Sequence, residues 1–159
     1  MLFKSLKELP VLNKKNVGLR GGGDSDYYIN IKKALGDPVI LDAIATKVWE
    51  KVDIDVTCVA CSGYGGVPLG TALSLKHKLK LTLVRNEEKD HGLGGKIDGY
   101  VPNVNDKILF VDDVLTSGHS LRGTLAVLKN FNVVKLFVVV KRGETDLDVD
   151  YLFTAEDFL

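Results

Sequence analysis

From residue 37 onward, apolar residues at helical spacing alternate with short apolar runs at strand spacing, joined by short connections. That alternation constrains the fold more than any other feature. It specifies an α/β architecture, a parallel central sheet with helices on both faces. Asp37 and Pro38 read as an N-cap and a first-turn proline, after which Ile40, Leu41, Ile44, Val48 and Trp49 recur on one helical face. Residues 55–60 follow as a buried strand, 67–79 as a helix and 81–84 as another strand. Beyond a long polar stretch, 85–99, come a strand over 107–111, a helix over 120–129 and a valine-rich strand over 135–140. Leu152 and Phe153 add a short edge strand, and Thr154 caps a last turn. A chain of 159 residues, 45% of them hydrophobic, is long enough for one well-buried core and too short for two ordinary domains. Residues 1–159 therefore read as a single domain, with 37–159 as its α/β core.

Acidic and basic residues balance at 21 each, which leaves no overall field to hold nucleic acid or an anionic membrane. No segment reaches the roughly 18 apolar residues that a bilayer span requires, and the expectation is a soluble, cytoplasmic protein. Cys58 and Cys61 have C-x-x-C spacing, but no second pair or nearby histidine completes a zinc site. On a strand, positions three apart point to opposite faces. The two cysteines read as small buried residues.

In sheets of this kind ligands bind where loops leave the carboxyl ends of the strands. The segment ILFVDDVLTSGHS places Asp112 and Asp113 at the end of an apolar strand, then Thr116, Ser117, Gly118 and Ser120 in a turn that opens a helix. Backbone amides at a helix start, with the helix dipole and hydroxyl donors, form a pocket for a phosphate dianion. The two carboxylates lie at its rim, able to accept from ribose hydroxyls or to hold Mg2+ through water. One unit earlier, CSGYGGVPLG has glycines at 63, 65 and 66 that let amides converge on an anion, and Pro68 suits the first turn of the helix beyond. The stretch LVRNEEKDHGLGG offers Arg85, Lys89 and His91 on a glycine-bearing backbone, a length of loop that is commonly functional. At the end of the valine strand, the planar guanidinium of Arg142 is suited to pair bidentately with a carboxylate.

The segment around Asp112 and Asp113 resembles the 5-phosphoribosyl-1-pyrophosphate (PRPP) motif of the type I phosphoribosyltransferases. The resemblance covers the chain from about Leu19 to the C-terminus and implies that family's fold, with a reduced N-terminal hood over residues 1–36. It also implies that Asp112 and Asp113 address the ribose hydroxyls while Leu115, Thr116, Ser117, Gly118, His119 and Ser120 hold the 5-phosphate, with Val114 counted among the PRPP-binding residues. His119 stands where the family more often has threonine or glycine. The glycine cluster resembles the family's pyrophosphate loop, with Tyr64 and Gly65 as contacts; many bacterial orotate enzymes carry lysine where Gly65 stands. The pattern R-x-E-x-K-D-H-G-x-G-G is similar to the catalytic loop of the orotate phosphoribosyltransferases. It implies that Arg85, Lys89 and His91 contact pyrophosphate and that Asp90 orders the loop, which acts across a homodimer into the partner's site. Asn86 replaces a common lysine. Near the N-terminus, LRGGGDSDYYINIKK resembles the orotate-binding segment, with Arg20, Ser25, Tyr27, Tyr28 and Asn30 on its positions. Thr116 and Arg142 complete the implied base contacts.

What the resemblance implies is Mg2+-dependent transfer of the phosphoribosyl group from PRPP to orotate, yielding orotidine 5-monophosphate and pyrophosphate on the way to UMP. Lys89, His91 and Arg85 stabilise the departing pyrophosphate, and Asp113 is counted with them as catalytic. Two alternatives stand beside it: transfer to a purine or uracil, favoured by Gly65, Asn86 and the short front, and a non-catalytic PRPP-binding regulator. The regulator lacks a basic excess for binding DNA. Lys89→Ala is expected to lower turnover by the equivalent of about 2.7–4 kcal/mol in the transition state, with an unchanged circular dichroism spectrum. Wild-type turnover in that variant would refute the loop assignment.

Overall fold

The computed structural model describes residues 1–14, 17–18, 24–85 and 95–159, and of residues 3, 13, 17, 18, 24 and 25 it describes the backbone alone. The chain opens with helix α1 (Leu2–Glu8) and the short strands β1 (Leu12–Asn13), β2 (Val17–Gly18), β3 (Asp24–Ser25) and β4 (Tyr28–Ile29). These pair antiparallel as β1 with β4 and β2 with β3. A single helical turn, α2 (Lys32–Leu35), leads to α3 (Pro38–Lys51). Here the Asp37 carboxylate accepts from the amides of Val39 and Ile40 at 2.9 and 3.2 Å, and Pro38 occupies the first turn, where its missing N–H costs nothing.

The core then runs β5 (Cys58–Ser62), α4 (Gly63–His77), β6 (Lys80–Val84), β7 (Ile97–Gly99), β8 (Ile108–Leu115), α5 (His119–Val127), β9 (Val133–Lys141), β10 (Asp150–Thr154) and a 3-10 turn, Ala155–Phe158. Thr154 caps that turn in a reciprocal box with Asp157. The sheet has six strands in the order β10-β9-β8-β5-β6-β7. Five are mutually parallel, and β7 pairs antiparallel with β6. This edge strand lies inside the stretch 85–99, which reads from its polar sequence as loop throughout.

Strands covered on both faces must be apolar on both. Val59, Cys61, Leu109, Val111, Phe137 and Val139 pack toward Ile44 and Val48 of α3 and Leu69 and Leu73 of α4. Cys58, Ala60, Ile108, Phe110 and Val138 pack toward Leu121 of α5 and Leu128 just beyond it. The cysteines thus divide between the two cores, as their spacing requires, and burial pushes the Cys61 thiol up to about 12. Helix α4 lies so close to β5 that a Cβ on Gly70 would fall 2.5 Å from the Cys61 sulfur. Among the described residues no metal-binding cluster forms, and no helix is long and apolar enough to cross a membrane.

The chain lays β6 and β7 on one side of β5, then returns to lay β8 on the other. The strand order reverses there, and a crevice opens at the carboxyl ends of β5 and β8. At the opposite, amino end, Asp106 is buried beneath the loop that enters β8. Its carboxylate accepts from the Thr57 hydroxyl at 2.8 Å, the Tyr100 hydroxyl at 2.7 Å and the Asn103 amide at 2.9 Å. The Asn103 amide first, then the two hydroxyls, holds this carboxyl below the usual carboxylate range.

A depressed folded-state pKa contributes stability that is present above the unfolded value of about 3.9 and is lost as pH falls through the folded value. Asp106→Ala is therefore expected to lose about 1–3 kcal/mol at neutral pH, measured by urea unfolding, and the difference from wild type should shrink in acid below pH of about 4. An undiminished difference there would contradict the assignment.

Candidate active site

Apolar pairing carries β8 through its acidic residues. The run does not stop at Val111: Asp112 pairs with Val138, Val114 with Val140 and Leu115 with Lys141, so the acidic pair lies within the strand and not beyond its end. Leu115 buries its side chain in the second core, and its main chain remains in the ladder with β9. The amide of Asp113 donates to the Asp112 carboxylate at 2.8 Å. Burial, and then the neighbouring Asp113 carboxylate, push Asp112 well above the usual carboxylate range. Asp113 is itself buried.

Both carboxylates lie against the first turn of α4. That helix begins at Gly63, four residues before the expected start, so the glycine cluster is its first turn and Pro68 lies inside it. A Cβ on Gly65 would stand 2.2 Å from the Asp113 carboxyl carbon, and one on Gly66 3.0 Å from the Val111 carbonyl and 3.3 Å from Asp112 Oδ1. The bare backbone at 65 and 66 admits the acidic pair to the positive end of the helix dipole. Gly65 thus vacates the volume that Asp113 fills. Tyr64, on the same turn, is 91% exposed.

Beyond β8 the chain bends through Thr116, Ser117 and Gly118 into α5. Gly118 takes the left-handed conformation, φ 82°, that favours glycine. Among the described residues, the amides of 116–118 enter no backbone hydrogen bond. The first-turn amides of α5 likewise have no intrahelical acceptor. His119 and Ser120 sit exposed on that first turn. Amides arranged in this way at a helix start form a cup suited to an anion.

The loop after β9 presses on the cup. Arg142 donates its amide to the Leu115 carbonyl at 2.8 Å, and a Cβ on Gly143 would fall 2.4 Å from the Thr116 carbonyl oxygen. The Arg142 guanidinium lies over the Tyr27 ring, 4.3 Å from its centroid. Arg142, Tyr27 and Thr116, three of the base contacts implied by the resemblance, therefore belong to one neighbourhood. Tyr28 enters through Lys32, whose ammonium donates to the Tyr28 hydroxyl at 3.3 Å and to Asp113 Oδ2 at 3.4 Å. Lys32 and Gly143 went unnoticed in the sequence, where the sole local sign of either is the four-residue spacing of Tyr28 and Lys32. The Asn30 side-chain oxygen is buried without a hydrogen-bond partner among the described residues.

Arg85 stands where β6 ends. Its amide donates to the Lys96 carbonyl at 2.7 Å and its guanidinium pairs with Asp98 of β7. The other cations expected of this loop and of the base segment, Lys89, His91 and Arg20, lie outside the described residues, as do Asn86 and Asp90. Ser25 is described by its backbone in β3.

Residues 33–157 match the family profile described as phosphoribosyl transferase domain, and the chain belongs to that family. Its relatives narrow the class. It is 36% identical over 146 residues to the orotate phosphoribosyltransferase of Methanosphaera stadtmanae, covering 90% of this chain and 82% of that protein. It is 33% identical over 169 residues to the orotate phosphoribosyltransferase of Methanosarcina mazei, covering 99% and 90%. Among solved structures, the orotate phosphoribosyltransferase from Aeropyrum pernix matches with a TM-score of 0.83 at 28% identity, over 100% of this chain and 96% of that one.

The Gly143 contact is with backbone, which has no rotamer to yield. Gly143→Ala is expected to displace Thr116 and to lower phosphoribosyl transfer by about ten- to a hundredfold, the scale of a sub-ångström to ångström misplacement, with an unchanged circular dichroism spectrum. Wild-type steady-state kinetics in that variant would show that the loop after β9 does not position the cup.

Proposed function

We infer that the chain is an orotate phosphoribosyltransferase, converting orotate and PRPP to orotidine 5-monophosphate and pyrophosphate in the biosynthesis of UMP. The observation that carries this reading is Arg142. Its guanidinium is fixed at the carboxyl end of β9 over Tyr27, one residue from the glycine that abuts Thr116. A carboxylated pyrimidine there finds a planar cation, an aromatic face and the ribose-side loop together.

In the reaction the bond between N1 of orotate and C1 of ribose forms as the bond from C1 to the pyrophosphate oxygen breaks; pyrophosphate leaves with the electron pair, and the proton on N1 of orotate is released to solvent. No protein nucleophile takes part. The amides of 116–120 and the hydroxyls of Thr116, Ser117 and Ser120 hold the 5-phosphate, while Asp112 and Asp113 accept from the ribose hydroxyls. These contacts fix C1 opposite the base, and positioning of this kind lowers the barrier without bond chemistry by the protein. The first turn of α4, with Tyr64 and Gly65, faces the pyrophosphate. Two adjacent carboxylates are a suitable hard-oxygen donor set for Mg2+ held through water, and when bound there Mg2+ offsets charge on the pyrophosphate. Lys89, His91 and Arg85 stabilise the same charge as it develops. The stretch that bears them acts in the partner's site of a homodimer, and the enzyme works in the cytoplasm.

Incubation with PRPP and Mg2+ against a panel of orotate, uracil, adenine, guanine and hypoxanthine tests the assignment, with orotate alone expected to be consumed. Orotate left intact while another base disappears would decide against it. Arg142→Ala is expected to raise the KM for orotate about ten- to a hundredfold, as loss of a charge-assisted pair worth about 1.5–3 kcal/mol implies, and to change the KM for PRPP much less.

A further inference from the structure

The acidic pair of β8 and the tyrosines of the N-terminal segment reach the crevice from distant parts of the chain, and the Lys32 side chain touches both. Its ammonium lies 3.4 Å from Asp113 Oδ2 and 3.3 Å from the Tyr28 hydroxyl, 6.0 Å from the centre of the Tyr28 ring. The side chain is 43% exposed while that of its Asp113 partner is 12% exposed, so the cation approaches from the open side of the crevice and the carboxylate from the enclosed side. Asp113 is confined on its other flank by the α4 backbone, where a Cβ at Gly65 would overlap the carboxyl group. Two things therefore set the direction of this carboxylate: the missing side chain at 65 and the ammonium group of Lys32.

We propose that Lys32 is a positioning residue that holds the Asp113 carboxylate toward the ribose hydroxyls and ties it to Tyr28, coupling the binding of base and of PRPP. The coupling half of this proposal rests on the assignment of orotate as the base. A base settling against Tyr28 fixes one partner of the ammonium group and so stabilises the other, Asp113, in its ribose-accepting direction. Linkage makes the effect reciprocal, so PRPP must favour the base by the same factor. The partners of the Lys32 ammonium group are Asp113 and Tyr28, which this reading assigns to ribose and base and not to the leaving group. Removal of Lys32 should therefore act on substrate binding more than on the chemical step.

Calorimetric titration of PRPP into the full chain with Mg2+, together with steady-state kinetics on orotate, compares wild type with Lys32→Met, Lys32→Arg and, as a control on the adjacent exposed position, Lys33→Met. Lys32→Met is expected to raise the KM and Kd for PRPP about tenfold, within the range of coupled sites, and to change kcat by less than about threefold. Lys32→Arg, which keeps the charge, should recover most of the affinity, and Lys33→Met should match wild type. Ribose 5-phosphate, which has no leaving group, reads the coupling without turnover: its Kd should fall on addition of orotate in wild type, and fall by less than about twofold in Lys32→Met. PRPP affinity in Lys32→Met within about twofold of wild type, or Lys32→Arg as impaired as Lys32→Met, would overturn the proposal. Wild type that binds PRPP but leaves orotate intact would remove the functional reading and the coupling with it, while the PRPP titrations still decide whether Lys32 positions Asp113. Wild type that binds no PRPP would overturn both.

Discussion

Two adjacent carboxylates, Asp112 and Asp113, sit in the middle of a sheet that is covered on both faces. Burial of like charges side by side is unfavourable, and much of the surrounding structure responds to it. The Asp113 amide turns onto Asp112, the ammonium group of Lys32 approaches Asp113, and the α4 backbone, stripped of side chains at 65 and 66, brings its helix start against both. What remains unmet is acceptor capacity directed into the crevice. Ribose hydroxyls and a hydrated cation are the chemical groups that such acceptors take.

The same strand explains why the binding loops converge. Strand β8 lies between β5 and β9, so its carboxyl end has the glycine turn of α4 on one side and the loop after β9 on the other. The turn 116–118 follows directly from β8, the guanidinium of Arg142 from β9, and the segment that bears Tyr27 and Lys32 closes against them. Sheet order, rather than proximity in sequence, assembles the site.

Features with a local cause were legible in the amino-acid sequence. Alternating periodicity predicted the parallel sheet, the Asp37–Pro38 pair predicted the start of α3, and strand geometry separated Cys58 from Cys61. The differences have a common origin in tertiary context. Aspartate disfavours strands, which suggested an end at Val111, yet pairing with β9 carries β8 on to Leu115. Glycines disfavour helices, which suggested a start of α4 at Val67, yet the close fit to the acidic pair draws the helix back to Gly63. Strand β7, three residues at the end of a polar stretch, becomes a strand through pairing with β6. Lys32 lies 81 positions from Asp113, and no periodicity reports a contact of that kind. Gly143 is likewise informative through the Thr116 backbone it meets, a neighbour supplied by a different strand.

The Asp106 cluster lies at the amino ends of β5 and β8, a full strand length from the loops proposed to meet the substrate. Its partners, Thr57, Tyr100 and Asn103, belong to the two connections that enter β5 and β8. Anchorage and selectivity are thus divided between opposite poles of one sheet. Changes at the recognition pole leave that anchor intact, so an architecture of this kind tolerates a redesigned base pocket: preference for one acceptor over another is open to alteration loop by loop while the rear of the sheet keeps the chain folded.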